Sequence, residues 1–213
     1  MLRRLLLICV PFLLWGCNKS ASLERGRSAV AANKRSSTSA GTDKRGKGPS
    51  PIVQVAHLLE TNAPFSFDFD VEDVVGNRIS KADLAGKVLI VDLWGTWCGP
   101  CRKEVPHFVA LNKKYRDRGL AIVGLNSEQI PDMAEAAEQV RKFCKSAGVN
   151  YPCAVVGEEF LAQIPDLQGF PTTLFIDRTG QVRLRVVGYH DMAFLQAAVE
   201  ALLQEDSVTN AGG

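Results

Sequence analysis

The chain has 213 residues, 46% of them hydrophobic, which supports one good-sized core and not clearly a second. Its formal net charge of +2 hides a split: residues 18–50 carry eight Lys/Arg against Glu24 and Asp43 (+6), and residues 51–213 carry 15 against 21 acids (−6). The basic run therefore lies in a leash ahead of an acidic body, and nucleic acid is not expected as a partner.

The first element is an address. In "MLRRLLLICVPFLLWGC", Arg3 and Arg4 form a charged start, and Leu5 to Trp15 is an apolar run too short to span a bilayer. Gly16-Cys17 is the small-then-cysteine pattern of a bacterial lipoprotein signal, so residues 1–16 are expected to be cleaved and Cys17 lipidated. An uncleaved anchor, or a signal cut elsewhere, are the alternatives. All three place the body outside the cytoplasm, in the periplasm or its equivalent. The rest of 17–50 is Ser, Ala, Gly, Lys and Arg with little apolar content, the composition of a disordered tether.

The body alternates strands and helices. "KVLIVDLW" (87–94) reads as a buried strand, and 101–119 as a helix with Phe108, Leu111 and Tyr115 at helical spacing and Gly119 at its end. A strand at 120–126 follows. A helix over 132–147 comes next, with an apolar stripe of Met133, Ala137, Val140, Cys144 and Ala147. A short strand at 153–156 precedes a hairpin of 172–177 and 181–187 around "DRTG". Phe194, Leu195, Ala198 and Leu202 mark a closing helix with Asp191 as its N-cap. The pattern predicts a single α/β domain, a mixed sheet flanked by helices.

Six cysteines are present. Cys9 leaves with the signal and Cys17 is the lipid site. Cys98 and Cys101 form C-x-x-C in "LWGTWCGPCRKEVP" (93–106). A zinc clip would need a second ligand pair at related spacing, and His57, His107 and His190 stand singly, so no metal is expected. A redox pair fits better. It follows a buried strand and opens a helix, where backbone N–H groups and the helix dipole stabilise a thiolate. Cys98 is then expected to be the exposed nucleophile and Cys101 the buried resolving thiol. Pro100 suits a first helical turn, and Pro106 should kink the helix. Cys144 and Cys153 read as core cysteines, as a second, structural disulfide, or as a redox relay, and sequence does not supply the distance that would decide.

"VDLWGTWCGPC" followed by "GFPTT" (169–173) resembles the thioredoxin superfamily. "NAPFSF" and "GNRISKADLAGKVLIVDLWGTWCGPCRKEVP" resemble its membrane-tethered, extracytoplasmic TlpA/ResA-like branch, over about Ala63 to Leu203. The resemblance implies a thioredoxin-like domain over 51–206, with a flexible tail at 207–213. It implies a cis-proline at Pro171 facing the cysteines, and an active-site surface and substrate groove of Trp97, Gly99, Pro100, Phe170, Pro171 and Gly188. Asp92 matches the buried acid that serves Cys101, and Glu104 matches an acid near the active site of ResA-like reductases; a solvated Glu104 on the helix surface is the alternative. "LAIVGLN" has no counterpart of the lysine that often stands near the buried acid.

The implied activity is thiol–disulfide exchange with a disulfide-bearing protein, such as apocytochrome c or an oxidase copper-site protein. A membrane thiol–disulfide carrier would supply electrons, and no cofactor is needed. Gly99-Pro100 between the cysteines favours a reductase over an oxidase or isomerase. A peroxiredoxin-type peroxidase would want Thr-x-x-Cys, but Thr96 stands only two before Cys98. A copper-delivery protein would want C-x-x-x-C.

Overall fold

The computed structural model describes residues 50–61 and 65–209. The expected signal peptide, Cys17, nearly all of the tether and residues 210–213 lie outside that range. The order of elements is α1 (Pro51–Thr61), β1 (Phe65–Ser66), β2 (Asp70–Glu72), β3 (Arg78–Ser80), β4 (Val88–Trp94), α2 (Gly99–Tyr115) and β5 (Leu120–Asn126). Then come α3 (Met133–Ala147), β6 (Cys153–Val155), α4 (Glu158–Leu161), β7 (Thr172–Ile176), β8 (Gln181–Val187) and α5 (Met192–Thr209).

Every residue of β4 is buried, as its unbroken apolar run requires of a central strand. It pairs in parallel with β5 and antiparallel with β7. The six-stranded sheet runs β1-β8-β7-β4-β5-β6, and β2 and β3 form a separate hairpin. The parallel pairs β4/β5 and β5/β6 are joined by the crossover helices α2 and α3. The mixed sheet flanked by helices is the architecture expected.

Side chains of a strand alternate between faces, so β4 serves two core layers. Val88, Ile90 and Trp94 join a layer with Val55 of α1, Phe108, Leu111 and Tyr115 of α2, Val140 of α3 and Leu195 of α5. Leu89, Val91 and Leu93 join Phe67, Phe69, Ile164 and Leu174 on the other face. By this alternation Asp92 points into the first layer, the one that α2 covers.

The sequence expectations hold for the buried face of α2 and for that of α5, whose N-cap Asp191 accepts from Phe194 N–H at 2.9 Å. The stripe of α3 needs correction. Met133 is 51% exposed and Ala147 is exposed, while Ala136 and Val140 are buried and Phe143 and Cys144 pack beside them. The face turned inward is thus shifted by one position along the first turns. Helix α2 begins at Gly99 rather than Cys101, because Cys98 itself caps it, and it runs on through Pro106. It stops at Tyr115, where a tighter turn, Arg116–Arg118, leads to Gly119 at φ 95°.

Candidate functional site

The site assembles where β4 ends and α2 begins. Cys98 and Cys101 are joined by a disulfide with Cα atoms 5.3 Å apart. Cys98 is the N-cap of α2, and its sulfur accepts from the Cys101 backbone N–H at 3.2 Å. In the reduced state the same N–H, together with the positive helix end, stabilises a Cys98 thiolate. Pro100 occupies the first turn, where a missing N–H costs nothing. One expectation changes here. Cys98 is only 5% exposed against 1% for Cys101, so its sulfur is the more open of the two without being a surface thiol. Trp97 beside it is 45% exposed, and its indole leans back over Gly95 to donate Nε1–H to Ser127 O at 2.9 Å.

The Phe170–Pro171 peptide bond is cis. Continuing the β4–β7 register, in which Leu93 opposes Thr172, sets Pro171 opposite Trp94 at the end of the sheet where the cysteine turn starts. Phe170 stacks edge-on against Trp97 with ring centres 5.8 Å apart. Gly188, at φ 85°, donates its N–H to Pro171 O at 2.8 Å. Trp97, Phe170, Pro171 and Gly188 therefore come together beside the disulfide, drawn from three separate chain segments.

Two carboxyls stand behind the cysteines. Asp92 is 2% exposed; its Oδ1 has no hydrogen-bond partner, and neither has the hydroxyl of Thr173, which opposes it across β7. Burial pushes the Asp92 carboxyl well above the ordinary carboxylate range, and the Glu104 charge adds to the push. Glu104, one helical turn beyond Cys101 on the same face, is fully buried, so the solvated alternative is discarded. Its Oε1 accepts from His190 N–H at 2.8 Å and its Oε2 has no partner. Burial raises it to about 7, against a smaller opposing effect of the His190 bond. A carboxyl near 7 exchanges its proton at working pH, as a proton acceptor and donor must.

Sequence reading passed over Glu128. Its carboxylate accepts from Thr96 N–H at 2.8 Å and Thr96 Oγ1 at 2.9 Å, and Gln139 Nε2 donates to the same pair. It braces the turn that delivers Trp97 and Cys98. Its position just past the carboxyl end of a parallel strand, where α/β sites gather, was the available signal. His190 was also missed; it matters through its backbone N–H, which sequence does not advertise. Cys144 and Cys153 are free thiols, and Cys153 belongs to the same core layer as Cys98 and Cys101. Among the described residues no cluster of three or more His, Cys, Asp or Glu could hold a metal ion.

Residues 62–185, more than half of the chain, match the AhpC/TSA family. The chain belongs to the AhpC/TSA family. Within it, this AhpC/TSA chain is 36% identical over 121 residues to the thiol-disulfide oxidoreductase ResA of Bacillus subtilis (strain 168), covering 57% of this chain and 64% of that protein. The ResA of Bacillus anthracis is 32% identical over 121 residues, covering 57% and 66%. The match thus spans just under two thirds of each relative's length. Among solved structures, a thiol:disulfide interchange protein of the thioredoxin family from Chlorobium tepidum TLS superposes with a TM-score of 0.58 at 29% identity, covering 67% of this chain and 98% of that one. A secreted thiol-disulfide isomerase from Corynebacterium glutamicum shares the fold at 17% identity and a TM-score of 0.58, covering 68% and 94%. The thioredoxin-like fold is common to these neighbours and to this chain.

Proposed function

We propose that this protein is an extracytoplasmic thiol–disulfide oxidoreductase, tethered to a membrane by lipid on Cys17, that reduces disulfides in partner proteins. The carrying observation is the Cys98–Cys101 disulfide capping α2, with cis-Pro171 beside it and two buried carboxyls behind. The names of the ResA relatives and of the Chlorobium neighbour support the same chemistry.

The reaction starts from the dithiol. The Cys98 thiolate attacks one sulfur of a partner disulfide, that S–S bond breaks, and the partner's second sulfur leaves as a thiolate and takes up a proton. Cys101 then gives its proton to the Asp92 or Glu104 carboxylate and attacks the Cys98 sulfur. The Cys98–Cys101 disulfide forms, and the partner leaves with two thiols. Two electrons have passed to the partner, and a membrane thiol–disulfide carrier returns them. Trp97, Phe170, Pro171 and Gly188 frame the groove that holds the partner strand. An apocytochrome c or an oxidase copper-site protein fits this role. No described helix is long and apolar enough to cross a membrane; what supports a tether at the N-terminal segment is the Gly16-Cys17 signal pattern.

Equilibrating the couple with thiol–disulfide buffers tests the direction of flow. A potential well below about −200 mV, towards the −270 mV of thioredoxin, is expected. A value near −120 mV, that of a strong oxidant, would overturn the reductase reading. Cys17→Ser is expected to move the protein from the membrane to the soluble fraction, and an unchanged distribution would overturn the lipid anchor.

A further inference from the structure

Helix α2 carries an unbalanced face. Residues 51–213 hold 15 Lys/Arg against 21 acids, yet six of those cations lie between Arg102 and Arg118, where the acids are Asp117 and the buried Glu104. The side of α2 turned from the core exposes Arg102, Lys103, Pro106, Ala110, Lys113 and Lys114. At about 3.6 residues per turn, Pro106 and Ala110 run up the middle of this face. Arg102 and Lys113 then stand on one flank, Lys103 and Lys114 on the other. The far end is engaged within the protein: Lys114 pairs with Glu200 at 4.0 Å, Arg116 with Asp117 at 3.6 Å, and Arg118 lies over the Tyr115 ring. Arg102, Lys103 and Lys113 have no side-chain ion pair or hydrogen bond among the described residues. On α3, by contrast, Glu138 pairs with both Arg141 and Lys142. The acids on the turns that adjoin the site are also engaged: Glu128 accepts from Thr96 and Gln139, and Asp191 caps α5.

The unpaired charge begins at the reactive turn. Arg102 N–H donates to Cys98 O at 3.1 Å. A rise of about 1.5 Å per residue sets Arg102 and Lys103 about 6–8 Å beyond Cys98 along the helix, and Lys113 about 22 Å beyond it. An acid two or three residues from a cysteine in an extended chain lies about 7–10 Å from it, the same span. Resting on the reductase reading above, we propose that the exposed face of α2 docks an acidic protein surface, and that the preferred substrates carry Asp or Glu within a few residues of the disulfide that Cys98 attacks.

The remainder of the body is acidic and repels such a partner, while this face attracts it, so the field both draws the partner in and turns it towards the cysteines. Pro106 and Ala110 are short, which lets the partner's carboxylates come down between the two basic flanks. A bilayer laid on the same face would bring no sulfur to Cys98. A protein that presents its disulfide there lies beside these charges.

The test uses the reduced full chain and three synthetic peptide disulfides that differ only in the residues flanking the cysteine: Asp, Ser or Lys. Single-turnover rates are read by acid quench and chromatography of the released peptide thiol. At an ionic strength of about 10 mM the Asp peptide is expected to react at least about 10-fold faster than the Lys peptide, with the Ser peptide between them. At about 1 M salt, where screening acts within about 3 Å, the three rates are expected to converge. The double variant Lys103→Glu, Lys113→Glu is expected to erase or invert the order at low salt and to leave the Ser peptide's rate unchanged. Equal rates on the natural chain at low salt, an order that survives 1 M salt, or an order that the double variant keeps would each overturn the proposal. Equal rates together with sedimentation on phosphatidylglycerol vesicles that the double variant weakens would overturn it in favour of a membrane on this face. Failure to reduce any of the three peptides would overturn the reductase reading and this proposal with it, whereas reduction of all three without order overturns this proposal alone.

Discussion

Glu104→Gln isolates one buried carboxyl. In the folded protein Glu104 titrates at about 7, against 4.5 for an ordinary glutamate. Between those values the folded state holds a proton that the unfolded state has lost, so stability falls as pH rises through that window. The difference of about 2.5 pH units, at about 1.4 kcal/mol each, makes the fold about 3 kcal/mol less stable at pH 8 than at pH 4 through this group alone. Glutamine is neutral throughout, fills the same volume, and its side-chain oxygen still accepts from His190 N–H. Denaturant melts of the disulfide form at pH 5 and pH 8 should therefore show a drop for the natural chain that largely disappears in the variant. At pH 8 the variant should be the more stable protein, by up to about 3 kcal/mol. A parallel drop in both chains would refute the reasoning and assign the pH dependence to another group, with Asp92 first in line.

Asp92→Asn removes the other acid. Resolution of the mixed disulfide at pH 7 should slow by about 10²-fold and recover in part at higher pH, where hydroxide can take over the role of the lost base. Stopped-flow exchange at the two pH values checks this, and an equal loss at both would mark a structural role. A methyl at Gly124 would lie 2.9 Å from the Cys153 sulfur and 2.9 Å from Trp94 Nε1. Gly124→Ala should therefore cost about 1–3 kcal/mol in a denaturant melt, and a neutral result would show that this buried contact yields freely. At Gly95 a methyl would lie 2.5 Å from Trp97 Nε1. Gly95→Ala should break the Trp97–Ser127 hydrogen bond, raise the alkylation rate of reduced Cys98 and shift the indole fluorescence; unchanged values would mean that Trp97 does not cover the sulfur.

The central strand and its neighbours were legible because their signals are local. A run such as "KVLIVDLW" has one stable use, and Phe108, Leu111 and Tyr115 fix the inner face of α2. The cysteine turn was equally plain, since strand, turn and helix are consecutive. What escaped depends on partners distant in sequence. Nothing near Cys98 announces that Trp97 will lean on Ser127, or that the 188–190 turn will reach Glu104. The strands β1, β2 and β3 are two or three residues long, below the length at which alternation can be recognised. On α3 the charged residues obscured the phase of the stripe, and packing against Trp94, whose ring centre lies 5.1 Å from that of Phe143, settled it.

The turn at 188–190 is fastened at two places: Gly188 N–H reaches Pro171 O one step beyond the Thr172–Val187 pair of the β7–β8 hairpin, and His190 N–H reaches Glu104 on α2. The chain supplies these anchors well after the cysteines. The cysteine pair is complete once α2 has emerged, but the wall that faces it comes some 70 residues later in the chain. Until β8 has joined β7, the cysteine pair lacks the wall that the proposed function gives the task of choosing its partners. On the proposed function, a chain cut before Gly188 would keep the cysteine pair and lose the surface that is to discriminate among partners.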